Sequence, residues 1–280
     1  MGERGAILSI IVYILLSILK LFIGYTAHSE ALQADGYNNT TDIIASIAVF
    51  IGLRVSQKPP DHDHPYGHLR AETVASMVAS FIMMSVGLQV LYQAILSMLK
   101  GDTTYPDWTS AYTAMFCAII MFFVYRFNHK LAGKIKSHSV MAAAKDNLSD
   151  AWVSVGTTVG IVGSQFGLPW LDSVTAIIVG LLICKTAWDI FRETTHQLTD
   201  GFDEEELTAY KGTIAQVPGV EKVKAIKARS YGSNAIVDVI ILVDASIDVR
   251  ISHDISSDVE KILVTKHDIY LANVHVEPLD

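Results

Sequence analysis

Six apolar stretches, separated by short polar connections, occupy the first two thirds of the chain. They cover residues 7–27, 30–55, 71–99, 110–126, 140–166 and 171–191. An α-helix needs about 20 mostly apolar residues to cross the hydrocarbon core of a bilayer. Most of the stretches approach that length, so the pattern predicts a membrane domain of six transmembrane helices within residues 1–195.

The hydrophobic pattern changes character after the sixth stretch. Residues 203–216 predict a helix that ends before a Pro-Gly pair, and residues 251–264 predict a second helix. Residues 223–229 and 235–243 alternate as strands do, with a turn at 231–234, and residues 269–277 predict a third strand. The order helix–strand–strand–helix–strand predicts a separate soluble α/β domain of ferredoxin-like fold over residues 200–280.

Composition agrees with a membrane protein and narrows the function classes. The chain has 280 residues, of which 51% are hydrophobic, and its formal net charge is −8. A negative net charge argues against nucleic acid as a partner. The two cysteines, Cys117 and Cys184, each lie inside an apolar stretch, so they predict neither a disulfide framework nor a thiolate metal site.

Basic residues are concentrated in alternate connections, which predicts the orientation of the helices. They are Arg4 before the first stretch, then Arg54, Lys58 and Arg70, then Arg126, Lys130, Lys134 and Lys136, and finally Arg192. Connections rich in Lys and Arg stay in the cytoplasm. We therefore expect a multi-pass protein of the cell membrane with both termini in the cytoplasm.

Two of the apolar stretches carry polar residues at helical spacing. Asn38 and Asp42 are four residues apart in the second stretch, and Asp146 and Asp150 repeat that spacing in the fifth. Residues four apart share a helix face, and ionisable groups at membrane depth usually face a cavity, a partner or an ion. We predict that these four side chains form a site for a divalent cation, rather than merely capping or bridging helices. Four oxygen ligands favour Mg, Ca or Mn, whereas Zn usually recruits His or Cys.

The apolar stretches contain three further charged residues that we do not interpret as metal ligands. Lys20 either extends its ammonium to the interface or pairs with a buried carboxylate. Asp35 shares the helix face of Asn38 and Asp42, and we interpret it as a proton carrier or a helix-end charge near the outer interface. Asp172, at the start of the sixth stretch, is interpreted as a charge at a helix N-terminus.

Two other clusters could bind metal outside the membrane. Asp61, His64 and His68 lie in the second connection, where three His and two Asp occur within eight residues. That density suits a divalent metal, although a solvated polar loop is the alternative. In the soluble domain, the third cluster consists of His253, His267, His275 and Glu277. His275 and Glu277 alternate along the last predicted strand and could share an ion, or simply be surface residues.

Taken together, these motifs resemble those of the cation diffusion facilitator family. The resemblance rests on residues 34–42, 64–72 and 146–150 and on the six-helix and ferredoxin-like arrangement, and it covers essentially the whole chain. It implies a homodimeric exporter that exchanges a cytoplasmic divalent metal for protons by alternating access. It also implies a transport site at Asn38, Asp42, Asp146 and Asp150, and a second site at Asp61, His64 and His68.

The resemblance also bears on the identity of the metal. Zinc members of the family carry His at one or both of the positions held here by Asn38 and Asp146. The Asn-Asp-Asp-Asp set resembles the bacterial manganese-exporting branch, which implies Mn²⁺ as substrate. The alternative within the family is an exporter of Zn²⁺ or Fe²⁺ with broad selectivity for divalent cations.

In the soluble domain the resemblance is only partial. His253, His275 and Glu277 match ligand positions of the family, but Lys224 and Ile240 stand where zinc members have His. The resemblance therefore implies a weaker or different cytoplasmic site. Arg70 and Asp200 match a charge pair at the junction of membrane and soluble domains, which we expect to hold the two halves of the dimer in register.

Two other function classes compete with a transporter. An intramembrane aspartyl protease would place one Asp from each helix against a peptide, whereas here each helix carries a ligand pair, and the chain has no HExxH motif. A metal sensor that does not transport would hardly need six membrane helices. We therefore predict a secondary transporter and no enzyme activity.

Overall fold

A computed structural model describes residues 2–100, 105–135, 138–232 and 234–279. Lys136 and Ser233, which the sequence places in a basic connection and in a hairpin turn, lie outside these ranges. The chain divides into two compact units, one of Met1–Ala48 with Val78–Ile190 and the other of Val49–Met77 with Phe191–Asp280.

The six apolar stretches all form long helices. They are α1 (Gly2–Thr26), α2 (Glu30–Ser56), α3 (Ala71–Lys100), α4 (Trp108–Ile135), α5 (His138–Gln165) and α6 (Trp170–Leu198). In the described chain, α2, α3, α4 and α6 are long and apolar enough to cross a membrane, and α1 contributes the shorter apolar segment Ile10–Thr26. Large apolar side chains such as Phe22 and Phe123 are 65% exposed, as expected for lipid-facing positions. The predicted helical membrane domain is confirmed.

α1 and α2 pack closely beside the predicted intramembrane site. A Cβ atom on Gly36 would lie only 2.9 Å from the Leu21 side chain and 3.2 Å from its backbone nitrogen. The Ser17 hydroxyl donates to the Gly36 carbonyl oxygen at 3.2 Å. Small residues let helix backbones approach within a membrane, so α1 lies directly beside the polar face of α2.

The C-terminal residues form an α/β domain. Its elements are α7 (Glu204–Ile214), β1 (Lys222–Tyr231), β2 (Asn234–Asp244), α8 (Val249–His267) and β3 (Leu271–Leu279). The sheet has the order β1-β2-β3, with β1 antiparallel and β3 parallel to β2. Asp203 caps α7 by accepting hydrogen bonds from the backbone of Glu205 and Glu206. The predicted ferredoxin-like domain is confirmed, with its elements in the predicted order.

The core of this domain lies between one face of the sheet and the two helices. Val237, Val239 and Ile241 on β2 are buried against Val259 and Leu263 of α8. Because side chains alternate along a strand, the intervening residues of β2 and β3 point to the opposite face. That opposite face carries His275 and Glu277 of β3, two of the three residues of the predicted site.

Candidate functional site

The four predicted transport ligands line a single cavity between α2 and α5. Asn38, Asp42, Asp146 and Asp150 contribute to a cavity of about 470 Å³, together with Tyr13 from α1. Within each pair, the two ligands lie one helical turn apart on the same helix, as the spacing predicts. All four side chains present oxygen atoms, and the described lining of the cavity contains neither His nor Cys.

Asp150 is the centre of the hydrogen bonds in this cavity and is only 7% exposed. Its Oδ1 accepts a 3.1 Å hydrogen bond from the Asn38 amide nitrogen, and its Oδ2 accepts one from the Tyr13 hydroxyl. The amide nitrogen of Asn38 is thus engaged, which leaves its carbonyl oxygen to face an ion. Asp42 Oδ2 is buried and has no hydrogen-bond partner among the described residues. An unpaired buried carboxylate oxygen is costly, and a bound cation would satisfy it.

The intramembrane carboxylates are not drawn tightly together. Across the described residues, the one set of three His, Cys, Asp or Glu side chains whose ligand atoms all lie within 4.8 Å of one another is Asp61, His64 and His68. Asp42, Asp146 and Asp150 do not meet that distance. An ion bound by all of them would therefore require side-chain movement that contracts the cavity.

The residues of the predicted second site converge in the connection between α2 and α3. Asp61 Oδ1 lies 3.1 Å from His64 Nδ1, and Asp61 Oδ2 lies 3.5 Å from His68 Nε2. The two imidazole rings are 4.2 Å apart. The backbone N–H of His64 donates to Asp61 and is the main reason that the pKa of this carboxyl is lowered. Asp61 is therefore an anion at neutral pH, ready to ligate a cation.

The predicted cytoplasmic-domain residues are not brought together in the same way. His275 Nε2 and Glu277 Oε1 are 3.7 Å apart on the open face of the sheet, whereas His253 is an exposed residue of α8. The ammonium of Lys224 donates to the other carboxylate oxygen of Glu277. The positively charged side chain of Lys224 is therefore already paired with Glu277, one of the expected ligands.

The predicted pair of Arg70 and Asp200 is in contact. The Arg70 guanidinium donates to Asp200 Oδ1 and also lies over the ring of Tyr231, 4.4 Å from its centroid. Arg70 therefore ties the start of α3 both to the segment that follows α6 and to the end of β1. Whether the pair also holds two protomers in register stays a prediction.

The structure decides between the two interpretations of Lys20, has Asp172 in the first turn of α6 as predicted, and adds one residue to the site. Lys20 is fully buried and pairs with Asp35, so the snorkelling interpretation of Lys20 is wrong and its alternative, a pair with a buried carboxylate, is confirmed. The position of Asp35 near the outer interface and its role as a proton carrier stay predictions. Asp172 accepts hydrogen bonds from Ser29 and from the first backbone N–H groups of α2, so it caps a helix other than its own. Sequence reasoning missed Tyr13, although Tyr13, Ser17 and Lys20 form a polar stripe at helical spacing on α1.

Comparison with known families covers nearly the whole chain. Residues 6–199 match the model described as the cation efflux transmembrane domain, and residues 202–279 match that of the cation efflux protein cytoplasmic domain. These matches meet between the sixth helix and α7, close to the boundary predicted from the hydrophobic pattern.

Individual relatives give the same picture. The manganese efflux system protein MneS of Bacillus subtilis is 57% identical over 279 residues, covering 100% of this chain and 96% of the relative. The manganese efflux system protein MneP of the same organism is 30% identical, covering 99% of this chain and 96% of the relative. A solved structure titled MamM-CTD H285A is 28% identical and covers 28% of this chain and 100% of its own, with a TM-score of 0.27.

Proposed function

Because this chain belongs to the cation efflux, or cation diffusion facilitator, family, we propose that it exports Mn²⁺ in exchange for protons. The chain is a multi-pass membrane transporter of cations, and the proposal concerns its ion, its coupling and its site. Two relatives that cover nearly the whole chain are named as manganese efflux proteins, which supports Mn²⁺ as the substrate.

The observation that carries the choice of ion is the all-oxygen donor set. Asp42, Asp146 and Asp150 offer carboxylates, and Asn38 offers an amide oxygen, in one cavity. This cavity lies in the compact unit of Met1–Ala48 with Val78–Ile190, which we call the membrane unit. Hard oxygen ligands suit Mn²⁺, whereas zinc sites are usually completed by imidazole or thiolate. The alternative is an exporter of the same family that carries Zn²⁺ or Fe²⁺ through these ligands.

The chemistry of carboxylates supports exchange with protons. A carboxylate must be deprotonated to ligate a metal, so metal binding releases protons and protonation releases metal. Asp150 is buried, Asp42 is half-buried with a buried Oδ2 atom, and the Tyr13 hydroxyl donates a hydrogen bond to Asp150. We propose that protons and Mn²⁺ compete for these carboxylates as the site opens alternately to the two sides.

The cavity supports entry from the cytoplasm. Its lining continues from Asp42 to Ser46 along α2, and includes Ile10 of α1 and Ala143 of α5. These residues lie toward the N-terminus of α1, the C-terminus of α2 and the N-terminus of α5. With the N-terminus in the cytoplasm, as the positive-inside rule places it, this is the cytoplasmic end.

We further propose that the chain acts as a homodimer with its α/β domain in the cytoplasm. The match to the family's cytoplasmic domain supports that location. In this arrangement the Arg70–Asp200 pair holds the two halves in register. The site of Asp61, His64 and His68 would bind a divalent ion next to the membrane, and the set of His253, His275 and Glu277 would sense metal only weakly because Lys224 engages Glu277.

The proposal is tested by metal flux into proteoliposomes whose lumen is more acidic than the outside. We expect initial Mn²⁺ uptake several-fold faster than Zn²⁺ uptake at equal concentration. We also expect Mn²⁺ to accumulate above its outside concentration, and this accumulation to be lost when a protonophore collapses the gradient. Protein-free liposomes give the background. Zn²⁺ uptake equal to or faster than Mn²⁺ uptake would reduce the proposal to a general divalent exporter. Accumulation of Mn²⁺ above the outside concentration that survives collapse of the gradient would exclude proton coupling.

The second site predicts a different effect on transport. His68→Ala removes one of three converging ligands, so we expect the Mn²⁺ concentration that half-saturates uptake to rise by about 10-fold. The measurement is the concentration dependence of initial uptake. His62→Ala is the matched control, because His62 lies in the same loop but outside the converging set. Equal effects of the two substitutions would argue for a merely polar loop.

A further inference from the structure

The ammonium group of Lys20 lies in an oxygen cage inside the membrane unit. Its Nζ donates to Asp35 Oδ1 at 2.9 Å, to Asn39 Oδ1 at 2.7 Å and to Ser154 Oγ at 2.9 Å. All four residues are fully buried. A lysine ammonium has three N–H donors, and here each has one acceptor. The cage thus satisfies the ammonium completely, without any contribution from solvent.

The cage has the composition of a site for a singly charged ion. Asp35 contributes one negative charge, whereas Asn39 and Ser154 contribute neutral oxygens. With the ammonium in place the cage is electrically balanced. Hard oxygen donors of this kind also ligate inorganic cations. Because the charge of the cage is −1, an alkali cation matches it better than a divalent metal.

The position of the cage separates it from the transport ligands. Asn39 directly follows Asn38 on α2, and Ser154 is one turn after Asp150 on α5, about 6 Å along the helix axis. Asp35 and Ser154 both lie on the side of the transport ligands away from Ser46 and Ala143, where the cavity continues. The ammonium therefore occupies a point just beyond the transport cavity.

We propose that Lys20 is a tethered cation that fills an alkali-cation site formed by Asp35, Asn39 and Ser154. By occupying the site permanently, Lys20 makes the protein independent of a free monovalent cation at this point. Two buried atoms, Asp35 Oδ2 and Asn39 Nδ2, have no hydrogen-bond partner among the described residues. Asp35 Oδ2 could thus become an additional ligand if a small ion replaced the longer lysine side chain.

The direct test is Lys20→Ala in the purified full-length protein. This substitution removes the ammonium and opens space for an ion, while the three oxygens remain. We expect Lys20→Ala to unfold several degrees higher in NaCl or KCl than in choline chloride of equal ionic strength. The parent protein should unfold at the same temperature in all three salts, because its cage is already filled.

The double variant Lys20→Ala with Asp35→Asn is the matched control. It removes the charge of the cage, so we expect its response to Na⁺ and K⁺ to disappear. A folded Lys20→Ala protein with equal unfolding temperatures in all three salts would overturn the proposal. So would a double variant that responds as Lys20→Ala does. Neither measurement uses Mn²⁺ transport, so the outcome is independent of the proposed function.

A second pair of variants applies if Lys20→Ala cannot be purified in any salt. Lys20→Met leaves Asp35 charged but fills the space, and adding Asp35→Asn removes that charge. We expect Lys20→Met to lose most of the folded protein recovered from membranes and the Lys20→Met, Asp35→Asn pair to restore it. Failure of the second substitution to restore the protein would mean that Lys20 does not balance the charge of the cage.

Discussion

Replacing Asp150 by alanine should lower Mn²⁺ transport by at least about 100-fold, since loss of groups that merely support metal ligands already costs 10- to 100-fold. Asp150 connects its own helix, α5, to two others, because it accepts hydrogen bonds from Tyr13 on α1 and Asn38 on α2. Its loss therefore removes a carboxylate from the ion and also frees the side chain of Asn38. The measurement is initial Mn²⁺ uptake into proteoliposomes under a proton gradient.

The matched control for Asp150→Ala is Asp189→Ala. Asp189 is an exposed residue of α6 that pairs with the exposed Lys185 one turn away, and it does not line the cavity. We expect this variant to transport Mn²⁺ at nearly the parent rate. Transport by Asp150→Ala at the parent rate, with both proteins equally folded and reconstituted, would remove Asp150 from the proposed site.

The second large effect should be a change of metal preference in Asn38→His. An imidazole at this position replaces an amide oxygen by a nitrogen ligand, and zinc favours nitrogen more strongly than manganese does. We expect the ratio of Zn²⁺ to Mn²⁺ uptake to rise by about 10-fold or more, on the scale of one ligand interaction. Both metals should be measured separately and in competition.

The control for Asn38→His is Ser46→His, which adds an imidazole to the same cavity without replacing a proposed ligand. We expect the control to leave the Zn²⁺ to Mn²⁺ ratio close to that of the parent protein. An unchanged ratio in Asn38→His would mean that groups around the ligands set the choice of metal. An equal shift in both variants would show only that zinc gains from an added imidazole.

The architecture was largely predictable because its signals are local in sequence. The stretches at 30–55 and 71–99 became helices Glu30–Ser56 and Ala71–Lys100, with nearly unchanged ends. Errors concentrate where a helix outlasts its apolar stretch. The helix predicted over 110–126 continues to Ile135. The residues after its apolar part include Lys130 and Lys134, and lysine is a good helix former although it is polar. Hydrophobicity reports where lipid contact ends, whereas a helix ends where its backbone hydrogen bonds end.

The candidate site was predictable only in part, because its contacts join distant parts of the chain. The spacing of Asn38 with Asp42 and of Asp146 with Asp150 predicted two ligand pairs, and these pairs share a cavity. Sequence spacing could not predict that Tyr13 would reach a residue 137 positions away. It also could not show which helix faces Lys20, and so it left open whether the Lys20 ammonium reaches the interface or pairs with a buried carboxylate.

The Lys20–Asp35 pair has a consequence for how the protein enters the bilayer. The two residues are only 15 positions apart, on α1 and α2, whereas Asp150 follows Tyr13 by 137 positions. A charged side chain in an inserting helix costs at most roughly 2.5–3.5 kcal/mol on translocon scales, the value for the helix centre. An early hairpin of α1 and α2 can present both charges to the translocon as one neutral pair, before α5 has been synthesised. The bond that fills the cage in the mature protein can thus ease the insertion of its first two helices.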